Sequence, residues 1–239
     1  MRVTVVGCSP AWPNPGGAQS GYLVEHERGR LLLDCGPGVL PRLLEQERWP
    51  SIDAIVISHL HLDHWGDLVP WALGVRFGTG AEAKPPELWL GPGDRTKLLE
   101  HAARLASAEM FEQAFAIREH DGNGTFTAAG FEVTPRLVPH YDIHCWALRV
   151  SDGDVALGYS ADGGPSDALV ETARGAGLFL CEATLNGGEP EPRGHLTLEE
   201  ALAAYGASGA KRLAVVHRPA DLPPAPDRER AHDGLVIDL

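Results

Sequence analysis

No stretch of the chain stays apolar for the roughly 20 residues that a helical membrane span requires, so no membrane partner is expected. A charged and then apolar leader of signal-peptide length is also missing. Met1 leads directly into Arg2-Val3-Thr4-Val5-Val6, which reads as a first strand. Val5-Val6-Gly7-Cys8 has a slight look of a lipoprotein cleavage site, but nothing apolar precedes it. A cytoplasmic protein is therefore expected. Cysteine is scarce: the four residues Cys8, Cys35, Cys145 and Cys181 form no C-x-x-C pair. That excludes a dithiol redox motif and a zinc knuckle, and in a reducing compartment leaves small core residues. Basic runs are absent, and 20 Lys and Arg against 33 Asp and Glu give a net charge of −13. Such a surface repels polynucleotide phosphates, so long nucleic acid is the weaker expectation and a small molecule the stronger. No repeat at fixed period, low-complexity tract or linker interrupts the chain, and 239 residues suffice for one large core. Residues 1–239 are read as a single domain.

What the chain does have is Ile55-Val56-Ile57-Ser58-His59-Leu60-His61-Leu62-Asp63-His64-Trp65-Gly66-Asp67. The apolar lead-in suits a buried strand. On an extended chain His59 and His61 point the same way, and Asp63 and His64 follow where the strand should turn. Imidazole and carboxylate are ordinary ligands of zinc and similar metals. The competing reading is a half-buried strand with Leu60 and Leu62 inward and the histidines in water. It would serve for one histidine; three with an aspartate at this spacing point to metal.

The remainder alternates strand and helix patterns and indicates an α/β domain. A hairpin is expected over 21–34, a helix over 39–47, and a short helix through Leu68 and Trp71. Further strands are expected over 87–90, 114–119, 124–127, 131–138, 144–150 and 155–159. A helix over 94–106 should have Asp94 near its N-cap. Later come a helix over 166–174, a strand over 177–181, the helix Leu198–Ser208, a strand over 211–216, and an edge strand within 232–239. The Pro/Gly-rich segment 8–20 should be a loop with Trp12 packed, and 219–226 a Pro-rich loop. Candidate site residues lie at the strand ends. His140 ends one apolar run, with Asp142 and His144 as competitors. Asp162 precedes Gly163, where plain turn chemistry would also serve. His217 follows Ala-Val-Val directly. Thr197 and Glu200 form a capping box, which leaves His195 unexplained.

The His-x-His-x-Asp-His pattern resembles that of the metallo-β-lactamase fold hydrolases. The resemblance implies a four-layer αββα sandwich with a metal site at one edge of two facing sheets. It implies His59, His61 and His140 on one divalent ion, Asp63, His64 and His217 on a second, and Asp162 bridging them. Asp34 would orient this set from behind. The donors suit zinc first, and also manganese or iron. Two such ions about 3.5–4 Å apart lower the pKa of a water and clamp attacking and leaving oxygens. Glu182, with Gly194-His195-Leu196-Thr197, is similar to the ribonuclease Z-like branch. There the catalytic groups would be Asp63 and a His195–Glu182 pair that protonates the leaving oxygen. No arm for gripping transfer RNA is evident between His140 and His217. The chain thus looks more like short bacterial members that hydrolyse a small phosphodiester, cyclic AMP or a relative first. The alternatives are a tRNA 3′-end endonuclease, a lactonase or β-lactamase, a flavodiiron-type redox protein, and a scaffold that has lost catalysis. A homodimer is common in that branch.

Overall fold

Leu31, Leu32 and Leu33 show how the layers form, because successive strand residues face opposite ways. Leu31 and Leu33 enter a core shared with Phe131, Val133 and Leu148. Leu32 enters a second core with Val39, Leu40 and Leu43. Ala54 and Val56 divide from Ile55 and Ile57 in the same way. Strands buried on both faces need apolar residues at every position, which is why these segments read as continuous runs rather than alternations.

The structure is a computed structural model describing residues 1–223 and 229–239. The first sheet contains β1 (Arg2–Gly7), β2 (Gly21–His26), β3 (Gly29–Leu33), β4 (Ala54–Val56), β5 (Glu87–Leu90) and β6 (Ala116–Glu119). The second contains β7 (Phe126–Ala128), β8 (Phe131–Val138), β9 (Cys145–Ser151), β10 (Ala156–Tyr159), β11 (Leu178–Glu182), β12 (Leu213–Val216) and β13 (Glu229–Arg230). A last strand, β14 (Val236–Asp238), returns to pair with β1 at the edge of the first sheet. The helices are α1 (Val39–Leu44), α2 (Leu62–Trp65), α3 (Leu68–Phe77), α4 (Asp94–Arg104), α5 (Ala108–Ala114), α6 (Asp167–Ala173) and α7 (Leu198–Ser208). The helices α1, α3, α4 and α5 pack on the outer face of the first sheet, and α6 and α7 on the second. The result is the αββα sandwich that the resemblance implied.

Strand direction then builds the site. The strand β3 is parallel to β4, and β10, β11 and β12 are mutually parallel. β8 is antiparallel to β9, which is antiparallel to β10, so β8 runs with β10. The C-terminal ends of these six strands therefore meet at one edge of the sandwich. There the Trp146 amide donates to the Ser58 carbonyl across the two sheets at 3.1 Å.

Several local expectations are corrected. The strand β4 ends at Val56, so His59 and His61 stand on the connection into α2 and not on a strand. The short helix after them is two, α2 and α3, separated at Gly66-Asp67. The helix from Val39 stops at Leu44. Gly93, in a left-handed conformation, caps α4, while the Asp94 side chain pairs with Lys97. α5 was not anticipated; its seven residues carry too little periodicity to read. The Pro-rich loop is described up to Pro223, and 224–228 lie outside the described residues. All four cysteines are buried thiols. Among the described residues no helix is long and apolar enough to cross a membrane.

Candidate metal centre

The cluster begins where β4 runs out. His59 and His64 are fully buried, whereas Leu62 is 60% exposed. Burial is thus the reverse of the apolar-inward reading, because α2 turns its polar residues toward the strand ends. Four of the non-glycine residues with left-handed backbone flank this edge: Asp34, Tyr141, Ala161 and His217. Such backbone costs free energy and persists only where surroundings over-determine it.

Hydrogen bonds at Nδ1 orient four of the imidazoles. His64 donates to Asp34 Oδ2 at 2.7 Å, and His140 to the Gly194 carbonyl at 2.6 Å. His59 Nδ1 lies 3.0 Å from Ser58 Oγ, which donates to Asp34 at 2.8 Å. His217 Nδ1 lies 2.8 Å from Thr184 Oγ1, whose hydroxyl reaches Glu182 Oε2 at 2.6 Å. With the proton held at Nδ1, each Nε2 lone pair is turned inward, the arrangement of metal-binding histidines. Asp34 is itself secured by the Ser58 amide and the Tyr159 hydroxyl, at 2.7 and 2.6 Å.

The inward atoms crowd together. His61 Nδ1 is 3.1 Å from His59 Nε2 and 2.9 Å from His140 Nε2. Asp63 Oδ2 is 3.3 Å from His64 Nε2 and 3.1 Å from His217 Nε2. Asp162 Oδ2 lies between the groups, 3.3 Å from His64 Nε2, 3.5 Å from His217 Nε2 and 3.9 Å from His59 Nε2. Two sets thus form, His59/His61/His140 and Asp63/His64/Asp162/His217, each with its donor atoms within 4.8 Å of one another. Among the described residues, His64 Nε2 and Asp162 Oδ1 are buried with no hydrogen-bond partner. A buried polar atom left unpaired is costly, and a cation at this point would satisfy both. The donor set therefore fits divalent metal. His140 is the histidine that joins the cluster, while Asp142 and His144 are exposed.

The electrostatics follow from burial and neighbours. Burial holds His59 well below the ordinary imidazole value, lowers His61, and lowers His140 to about 4, so all three are neutral at pH 7. Burial opposes a charge on His64 too, but Asp162 and Asp34 on either side overcome it and raise that ring well above 6.5.

His195 stands beside the cluster. Its Nδ1 donates to Glu182 Oε1 at 2.9 Å and is 3.9 Å from Asp162 Oδ2. Burial works against its charge, yet the bond to Glu182 and that carboxylate's field raise it to about 9. Glu182 is fully buried and also accepts from the Gly163 and Thr184 amides. It stands behind His195 and off the cavity wall. That cavity, about 650 Å³, opens over His61, Asp63, Asp162 and His195. Trp12, expected to be packed, is 56% exposed on its rim. Sequence reasoning passed over Thr184, Ser58 and Tyr159, whose partners are distant in the chain except for the bonds Ser58 makes to His59 and Thr184 to Glu182; their residue types are ordinary for strand ends.

Comparison with known proteins agrees with this geometry. The model of the beta-lactamase superfamily domain matches residues 29–218. A probable metallo-hydrolase of Bacillus subtilis, YhfI, is 30% identical over 226 residues, covering 92% of this chain and 87% of its own. The crystal structure of YhfI superposes with a TM-score of 0.83 at 24% identity, covering 99% of both chains. The short form of human tRNase Z superposes at 0.77 with 23% identity, over 100% of this chain and 99% of that one. A diphosphatase of the PhnP family superposes at 0.76 with 20% identity, over 100% and 97%.

Proposed function

This chain belongs to the beta-lactamase superfamily, whose membership supports a metal-dependent hydrolase, and we propose that it is a dinuclear phosphodiesterase of small diesters, cyclic nucleotides first. The observation that carries the proposal is the convergence of buried imidazole and carboxylate donor atoms on one point, where His64 Nε2 and Asp162 Oδ1 make no hydrogen bond among the described residues and a cation could displace the His64 Nε2 proton. His59, His61 and His140 would hold one ion, Asp63, His64 and His217 the other, with Asp162 shared. The whole of residues 1–239 is read as one catalytic unit. Zinc is the first choice for this imidazole and carboxylate set, with manganese or iron also suited.

When bound, divalent ions here supply Lewis acidity and lower the pKa of a water toward neutrality. The chain's own residues do the rest. Asp34 and Thr184 fix the rings of His64 and His217 by their Nδ1 protons. Glu182 holds His195 by Nδ1, so its other nitrogen can serve the leaving oxygen. Glu182 raises the His195 pKa, to about 9 with no cation beside it, and so favours the proton that His195 would deliver as the acid. That proton suits a poor alkoxide leaving group such as a ribose oxygen.

Metal analysis of the purified protein should find about two ions per chain. Asp162→Ala should lower the content of both, because one carboxylate serves both sets. Unchanged metal content in that variant, or full activity in metal-free protein, would overturn the proposal.

A further inference from the structure

We infer that Trp12 is a stacking platform for the base of a nucleoside ester, and that the pocket admits diesters carrying a single negative charge. This rests on the diesterase reading above. Part of the cavity lining is apolar, with Ala11, Trp12, Leu185, Pro219 and Leu222 among its residues. Trp12 belongs to neither hydrophobic core. An indole left open to water at a pocket mouth contributes little to folding and offers a flat face to a ligand.

The chain holds that face in place. Gln19 Nε2 donates to the Ala11 carbonyl at 2.6 Å, immediately before Trp12. Asn14, just after it, bridges the pocket mouth: its Nδ2 donates to the Arg218 carbonyl at 3.1 Å, and its Oδ1 accepts from the Ala220 amide at 2.8 Å. The Asn14 amide in turn donates to Ser9 Oγ at 3.1 Å. The Trp12 loop and the 218–222 segment are thus one tied wall, with the ordering cost met before a ligand arrives.

Charge sets the second half of the inference. Among the described residues lining the cavity there is no lysine or arginine, and Asp221 stands on the rim beside Leu222. A phosphate would be met by the metal centre and by protonated His195 beside it. A second phosphate on the Asp221 side would meet a carboxylate and, among the described lining residues, no lysine or arginine.

Two esters with one leaving group separate binding from chemistry: thymidine 5′-p-nitrophenyl phosphate and methyl p-nitrophenyl phosphate. Trp12→Ala should cut kcat/KM on the thymidine ester about 5- to 100-fold, the range for base stacking on an aromatic side chain. The loss should fall in KM, leave the methyl ester unchanged, and be largely restored by Trp12→Phe. A 3′-phosphate on the thymidine ester should weaken it, and Asp221→Asn should recover about 2- to 5-fold, as for an exposed charge pair. Independently of catalysis, saturation-transfer NMR on metal-stripped protein should show thymidine base protons in contact, and Trp12→Ala should abolish that signal. Equal losses on both esters, or an unchanged NMR signal, would overturn stacking while the diesterase reading stands. A 3′-phosphorylated ester turned over as well as its parent would overturn the charge selection. If metal-loaded wild type hydrolyses neither ester, the diesterase reading fails, and the NMR result alone decides the role of Trp12.

Discussion

His195 is the residue where geometry and chemistry separate most cleanly. It lies 3.9 Å from Asp162 and close enough to His140 or His217 to join a metal set of its own. Its Nδ1, however, is occupied by Glu182, and the two main sets are complete without it. A general acid matters in proportion to how poor the leaving group is. A ribose 3′-alkoxide needs the proton, whereas p-nitrophenolate barely does. His195→Ala should therefore keep its metals and lose about 10²- to 10⁴-fold on a nucleotide diester. The loss should be much smaller on an aryl diester and should lie in kcat rather than KM. The sign of the pH effect follows: the acid form exists below the His195 pKa, which is about 9 with no cation beside it and lower with cations bound, so on the metal-loaded enzyme the rate on the nucleotide should fall with rising pH at a point below about 9. Steady-state kinetics with both esters checks this. Equal losses would make His195 a positioning residue, and lost metal would make it a ligand. This residue was legible in the sequence because the Thr197–Glu200 capping box explained its neighbours and left it over. Glu182's burial behind it was not legible, since only the parallel register of β11 and β12 puts that side chain there.

Strand ends were the elements that sequence reading found most readily. An apolar run followed by a lone histidine marks both a buried strand and its exit, and His140 and His217 became candidates on that pattern together with the resemblance, Asp162 on the resemblance. The capping box was equally readable, and it forms as expected, with α7 spanning Leu198–Ser208. What could not be read were elements of one or two turns, α2 and α5, whose existence depends on packing against α3 and the first sheet. Hydrogen bonds from distant strands, such as Tyr159 to Asp34, have no local signature either. The cap can be tested by Thr197→Ala, which should cost about 1 kcal/mol by denaturant unfolding. It should also slow the nucleotide diester with metal content unchanged, because the chain direction at His195 is set there. The end of β6 offers a second test. His120 is buried between Phe126 and Trp146, its Nε2 lacks a partner, and burial lowers its pKa to about 4. The unfolded chain takes up this proton near pH 6.5 and the folded one only near 4, so stability is lost as pH falls between those values. The cost is up to about 3 kcal/mol from the difference in pKa. His120→Gln should flatten that part of the pH–stability curve. An identical slope in the variant would locate the pH dependence elsewhere.

At the scale of the whole molecule, fold alone does not choose the substrate. The short human tRNase Z shares this fold along essentially its full length, and so does a diphosphatase. The discrimination we propose rests on charge and surface. A tRNA-processing enzyme grips many phosphates, and each contact releases counterions, so binding falls steeply with salt. This chain carries a net charge of −13. Between His140 and His217 lie the β9–β10 hairpin, α6, β11, the segment 183–197, α7 and β12. Nothing in that inventory extends as a basic arm. The local field at the metal centre is another matter, since bound cations reverse the sign there and still attract one phosphate. Small diesters should accordingly be hydrolysed at rates that change little between about 50 and 200 mM salt, a range over which multi-phosphate binding loses orders of magnitude. A pre-tRNA with a 3′ trailer should be cleaved slowly or not at all under the same conditions. Both measurements use the metal-loaded full chain, so a failure to fold or load would show in the diester control. Efficient, salt-sensitive removal of the trailer alongside inert cyclic nucleotides would invert the ranking. It would mean that a local positive surface binds the RNA despite the net charge of −13.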